Sequence, residues 1–332
     1  MKKKGIRLSN TFLKGSKKFV TNLGSSFDEI PSGYIMSPVC QIILQSEFAS
    51  ASDTSFCTSV TFPVSPTKQK VEYIDRLTLA GLSEIEVTSF VSPKWVPQLA
   101  DSFDVSNDIT KNSAITYTAL VPNEKGLDRA LDADYSSISI LTTTSETFSK
   151  KNTNSSILDG FNMLDRAKHK WLQNSLRVRG YISTVWHCPY EGDMRSEKLL
   201  PVIDKLLDIG ISEISLGDTT GRATPESVER FLEIIIQRFG PSYFALHFHD
   251  TFGNAEKNVH VGLKMGITSY DSSAGGIGGC PYAPGSSGNI STEKIMSICE
   301  SRGIETGVDK NRIMEAGDFI NNVVGQERSE HA

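Results

Sequence analysis

The sequence contains no apolar run approaching the ~18 residues expected of a membrane-crossing helix. Cysteine is sparse: Cys40, Cys57, Cys188, Cys280 and Cys299 are odd in number and lie far apart. That argues against a disulfide framework or a CxxC zinc site and fits a reducing compartment. Basic charge is not in excess. The 332 residues carry a net charge of −5, which argues against nucleic acid as a main partner. No Gly-x-Gly-x-x-Gly turn follows a first strand, so the usual mark of a dinucleotide-binding open sheet is missing. What remains is globular composition: 38% apolar and 22% charged residues, with 26 Gly and 13 Pro.

The charge is unevenly spread. Residues 1–27 hold six Lys and one Arg with no acid, which leaves −12 for the remainder. Residues 1–65 form an atypical Ser-rich segment with no sustained helical period. Its basic start has the composition of a mitochondrial targeting leader, the alternative being a disordered tail on a cytoplasmic protein. Two stretches in it suit strands, Tyr34–Leu44 and Phe56–Val64.

Regular patterning begins near residue 66 and runs to about 326. An amphipathic helix over Lys70–Ala80 ends at Gly81. Seven short strand candidates follow: Glu84–Val87, Ile115–Val121, Ser137–Thr142, Val178–Val185, Glu213–Leu216, Tyr243–Phe248 and Ser269–Ser273. Helix-sized segments separate most of them. This alternation predicts an α/β fold with a parallel sheet, and seven units plus a first strand make a (β/α)8 TIM barrel. In such a barrel the chemistry sits at the C-terminal ends of the strands.

Those ends carry reactive side chains. His247-Phe248-His249 closes the seventh strand, and period-2 alternation puts both imidazoles on one face. The pair suits half of a divalent-metal site, or a hydrogen-bonded core pair. A loop with six glycines, residues 275–289, holds Cys280 at its centre and ends in Asn289. Asn289 suits either a helix cap region or an oxygen ligand. Glu86 and Asp218 close the second and sixth strands, as acid–base groups or as caps. Arg179, if it faces inward, needs a carboxylate partner or an anionic substrate. Cys188 suits packing better than chemistry.

Several segments together resemble the 3-hydroxy-3-methylglutaryl-CoA lyase family. They are Glu86–Gln98, Arg179–Ser183, Ser215–Thr219, His247–Thr251 and Gly278–Ala283, and the likeness runs from about Pro66 to Val324. The related claisen-type synthases share the barrel and the paired histidines but not the Gly-Gly-Cys-Pro-Tyr-Ala loop. The resemblance implies a TIM barrel that holds Mg²⁺ or Mn²⁺ and cleaves an acyl-CoA substrate, hydroxymethylglutaryl-CoA, to acetyl-CoA and acetoacetate. It implies His247, His249 and Asn289 as metal ligands. Cys280, Asp218, His247 and Glu86 are the implied catalytic groups, and Ser89, Arg179, Tyr181, Ser215 and Thr219 the implied substrate contacts. It also implies a homodimer.

One family feature is absent. The family's first strand ends in Arg-Asp-Gly, the Asp a metal ligand and the Arg a neutraliser of the enolate. That tripeptide occurs nowhere here, and no Arg lies between Arg7 and Arg76. Asp53 or Glu47 would be the substitute ligands by position. The expected consequences are a neutral ligand set, weakened metal binding and low turnover. The alternative functions are an acyl-CoA-binding barrel with impaired catalysis and a claisen-type synthase. The barrel itself must draw a replacement first strand from residues 34–64 or stay open.

Overall fold

The computed structural model describes residues 37–41, 66–94, 96–278 and 288–330. Its centre is a closed barrel of eight parallel strands. These are β1 Ser37–Gln41, β2 Glu84–Ser89, β3 Thr116–Leu120, β4 Ser137–Thr143, β5 Arg177–Ser183, β6 Glu213–Asp218, β7 Phe244–Phe248 and β8 Ser269–Ser272. Each strand pairs with its sequence neighbour, and β1 closes the ring. Ser37 to Cys40 run beside Ser269 to Ser272, while Val39 to Gln41 run beside Glu84 to Glu86. The replacement first strand therefore comes from the Tyr34–Leu44 stretch. Phe56–Val64 lies outside the described residues.

The helices form because their sequences bury one stripe, and five of those described also cap their N-termini with a side chain. They are α1 Thr67–Leu79, α2 Ser102–Asp108, α3 Glu124–Asp132, α4 Glu146–Thr153, α5 Ile157–Gln173, α6 Ser196–Asp208, α7 Pro225–Phe239, α8 Ala255–Lys264, α9 Thr292–Ser301 and α10 Lys310–Glu330. In α6, Leu199, Val202, Ile203 and Leu206 repeat at helical spacing and are buried. Four such side chains contribute about 6–12 kcal/mol of burial against the unfolded chain. In α7, Pro225 sits in the first turn, Thr224 caps the Ser227 N–H, and Gly240 ends the helix at φ 85°. Gly262 of α8 is a steric necessity. A Cβ there would fall 2.5 Å from both Leu246 and the Tyr270 hydroxyl, so the helix could not lie on β7 and β8. Among the described residues, no helix is long and apolar enough to cross a membrane.

Alternation along the strands gives the sheet two unlike faces. Val178, Ile182, Ile214, Leu216, Phe244, Leu246 and Phe248 are buried apolar residues. The intervening positions Arg177, Arg179, Tyr181, Glu213 and Ser215 share one hydrogen-bonded network with Glu84, Glu86 and Asp271, and His247 stands 3.4 Å from its Asp271 end.

Candidate active site

The lumen is built in tiers. Near the N-terminal ends of the strands, Arg177 donates to Glu84 at 2.9 Å and to Glu213 at 2.6 Å. One step up each strand, Arg179 is wholly buried and spends its donors on protein. It reaches Glu213 Oε1 at 2.9 Å, the Tyr181 hydroxyl at 2.9 Å and Asp271 Oδ1 at 2.7 Å. Tyr181 in turn donates to Glu86 Oε2 at 2.8 Å, and Ser139 donates to the same oxygen. Ser215 donates to Asp271 Oδ2 at 2.6 Å. Arg179, Tyr181 and Ser215, expected as substrate contacts, are thus engaged with protein partners inside the barrel.

Above this network stand the two histidines. Nδ1 of His247 lies 3.4 Å from Asp271 Oδ2, and its Nε2 faces His249 Nε2 at 3.1 Å. Two ring nitrogens approach that closely only with a shared proton or a cation between them. Asn289 is brought to the pair by backbone: it bridges His249 in antiparallel fashion, and its N–H donates to the Gly278 carbonyl. Its side-chain NH₂ donates to the Ile277 carbonyl at 3.0 Å, while Oδ1 is buried without a hydrogen-bond partner. Such an orphaned acceptor is costly unless something binds it. Burial, then the neighbouring His247, pushes His249 down to about 3, so it is a neutral imidazole at neutral pH.

The carboxyl groups are tuned apart. Burial raises Glu86 to about 7 despite the hydroxyls of Ser139 and Tyr181 and the charge of Arg179. Burial also raises Asp218 to about 7 against the backbone N–H groups of Ala223, Arg222 and Gly221. Burial acts upward on Asp271 too, but Arg179 and His247 outweigh it and hold the group down to about 2. Two acids poised near neutrality beside a permanent anion are the kind of divergence that marks acid–base sites. Asp218 accepts from the Ala223 N–H through Oδ2, and its buried Oδ1 has no hydrogen-bond partner. The cap of the next helix is Thr224, not Asp218; Asp218 instead holds the preceding loop at Ala223 and keeps its second oxygen unengaged.

Of the remaining expected residues, Ser89 ends β2 with its buried hydroxyl without a hydrogen-bond partner. Thr219 accepts from the Thr184 N–H at 2.8 Å, tying β6 to the end of β5. Thr184 holds φ 56°, a left-handed conformation unusual for a β-branched residue. Cys188 is a buried free thiol donating to Ser145 Oγ. Cys280, Asp53 and Glu47 lie outside the described residues. Among those described, no group of three or more His, Cys, Asp or Glu converges as a metal site. Asp271 was not singled out from the sequence. Its partner Arg179 lies 92 residues away along the chain, and only the closed ring brings the two together.

Glu86 does not close β2, which runs on to Ser89, but sits inside the lumen. A parallel barrel with paired imidazoles and one poised acid at the strand ends, and a second acid within, defines a class of TIM-barrel enzyme, and the comparisons narrow it. Residues 60–320 match the HMGL-like family model. The chain is 44% identical over 260 residues to hydroxymethylglutaryl-CoA lyase of Bacillus subtilis, covering 78% of this chain and 87% of that one. It is 46% identical over 254 residues to mitochondrial hydroxymethylglutaryl-CoA lyase of Macaca fascicularis, covering 76% and 78%. Among solved structures, an HMG-CoA lyase from Acinetobacter baumannii, in complex with coenzyme A and 3-methylmalate, superposes with a TM-score of 0.78 at 31% identity, covering 88% and 92%. The chain belongs to the HMGL-like family of lyases.

Proposed function

We propose that this chain is a carbon–carbon lyase for 3-hydroxy-3-methylglutaryl-CoA, giving acetyl-CoA and acetoacetate. The observation that carries the reading is the close pairing of His247 Nε2 with His249 Nε2 at the C-terminal mouth of the barrel, with Asn289 bridged to His249 through its backbone and its buried Oδ1 left without a hydrogen-bond partner. Two neutral imidazoles and an amide oxygen suit a divalent cation, Mg²⁺ or Mn²⁺, more weakly than a set containing a carboxylate. Bound there, such a cation would lower the pKa of a coordinated hydroxyl.

The reaction removes the proton from the C3 hydroxyl and breaks the C2–C3 bond. The bond's electron pair leaves on the acetyl-CoA enolate, C3 becomes the ketone of acetoacetate, and a proton is returned to C2. Asp218, poised near neutrality with one oxygen unengaged, is suited to take the hydroxyl proton. Glu86, held by Ser139 and Tyr181, is a second buried acid whose proton is available near neutral pH. Cys280 supplies the proton to C2 by family resemblance. The missing Arg-Asp-Gly removes one guanidinium from the enolate, and a donor of that kind is worth about 2.7–4 kcal/mol, or ~10²–10³ in rate. Ser89 offers a buried hydroxyl to the acyl-CoA. The basic, acid-free start of the sequence favours a mitochondrial location, while the relatives include mitochondrial and cytoplasmic lyases alike.

The neutral donor set specifically favours a second reading, a barrel that binds acyl-CoA without turning it over. Acetoacetate release from hydroxymethylglutaryl-CoA with Mn²⁺ separates the two. The lyase reading expects slow, metal-dependent turnover that His249→Ala abolishes. Titrated binding of the acyl-CoA with no acetoacetate formed would overturn it in favour of the second.

A further inference from the structure

Three carboxylates of the lumen, Glu84, Glu213 and Asp271, have no part in the chemistry above, and of these Asp271 stands beside a histidine. Asp271 lies on β8 directly beside His247 in the β7–β8 ladder. Its side chain is fully buried and both oxygens are engaged. Oδ1 accepts from Arg179 at 2.7 Å, and Oδ2 accepts from Ser215 at 2.6 Å while standing 3.4 Å from His247 Nδ1. Arg179 is itself fixed by Glu213 and Tyr181, so the carboxylate has no freedom to turn. The arrangement is a buried clamp that holds Oδ2 within 3.4 Å of one imidazole nitrogen.

A carboxylate can only accept a hydrogen bond. A neutral imidazole has one N–H, and the partner of one nitrogen decides the state of the other. Asp271 therefore favours the proton on Nδ1 of His247 and leaves the Nε2 lone pair facing His249 and Asn289.

We propose that Asp271 is the positioning residue of this site: clamped by Arg179 and Ser215, it sets the Nδ1–H tautomer of His247 and so makes Nε2 available as a cation donor. The proposal rests on the metal reading of His247 and His249 given above. An oriented partner behind a ligating histidine is typically worth ~10–100-fold in metal affinity.

The test uses the full chain and Mn²⁺ itself, titrated calorimetrically and by electron paramagnetic resonance, alongside ¹⁵N NMR of the imidazoles in the chelator-treated protein. In Asp271→Asn the amide oxygen faces Arg179 and the NH₂ faces His247 Nδ1. That turns Nδ1 into an acceptor and moves the proton to Nε2, the wrong tautomer for a ligand. Mn²⁺ affinity should fall ~10–100-fold with the fold retained by circular dichroism. Ser215→Ala removes only one bond to the clamp and should cost about two- to tenfold. Should Asp271→Asn fail to fold, the wild-type tautomer and Ser215→Ala decide. An Nε2–H tautomer of His247 in the wild type, or a folded Asp271→Asn that binds within twofold of it, overturns the proposal. A different failure is distinguishable: a His247→Ala variant that binds Mn²⁺ as the wild type does would remove the metal reading itself.

Discussion

The inner face of the barrel sheet is charged and hydrogen-bonded, and the outer face, against the helices, is aliphatic. On β5 the contrast is one residue wide: Arg177, Arg179 and Tyr181 join the lumen network, while Gly180 between them lies against Leu206 and Ile211. The outer layer is held by area removed from water, which is forgiving of small changes in shape. The lumen is held by pairs that each need a partner. Desolvation offsets much of their Coulomb attraction, so their yield is placement rather than net stability. A fold that needs only a sealed barrel would fill its centre with branched apolar residues, as many such barrels do. This one sacrifices that in order to fix Glu86 and His247 from below.

Three changes would break or sharpen the contrast. The largest effect is expected for Arg179→Met, which leaves the carboxylates of Asp271 and Glu213 without their shared cation. Urea denaturation should show a loss of about 3–5 kcal/mol. The double variant Arg179→Met, Asp271→Leu should recover part of that loss, because an unpaired buried charge costs more than an absent one.

Next is a dependence on pH. Asp218 is raised in the folded protein to about 7. The native state therefore binds more protons than the unfolded state between about pH 4 and 7, and stability falls as pH rises across that window. Full ionisation forfeits at most about 4 kcal/mol. Asp218→Asn, measured with chelator present, should abolish this contribution and gain on the wild type from pH 4 to pH 8. Equal slopes in both proteins would remove Asp218 from the list of poised acids.

The smallest effect is expected in the outer layer. Ile203→Val on the buried stripe of α6 should cost about 0.5–1.5 kcal/mol by thermal or urea unfolding, with no dependence on pH. A loss as large as that of Arg179→Met would erase the distinction between the faces.

Much of this was legible in the sequence, for reasons that differ by element. The seven strands from Glu84 onward show themselves as short apolar runs between helical periods, and all seven occur within a few residues of their expected bounds. The paired histidines needed only strand alternation. The short helix α4 is set by its cap, Ser145 accepting from the Phe148 N–H, and α2 by what it packs on, and their seven or eight residues hold little periodic signal. The long α10 has a weakly sided sequence and was not marked. The lumen network was not legible as a whole. Arg179 announced its need for a carboxylate, but Asp271 lies 92 residues away, and only closure of the ring brings them to 2.7 Å.

The five residues of β1 supply hydrogen bonds to two strands at once. Without them Glu84–Glu86 and Ser269–Ser272 would become two bare edges running side by side, each a template for another chain. The first sign of damage to Ser37–Gln41 would then be colloidal rather than enzymatic. Such a protein would associate edge to edge and scatter light with concentration, while its far-ultraviolet spectrum stayed close to that of the intact ring.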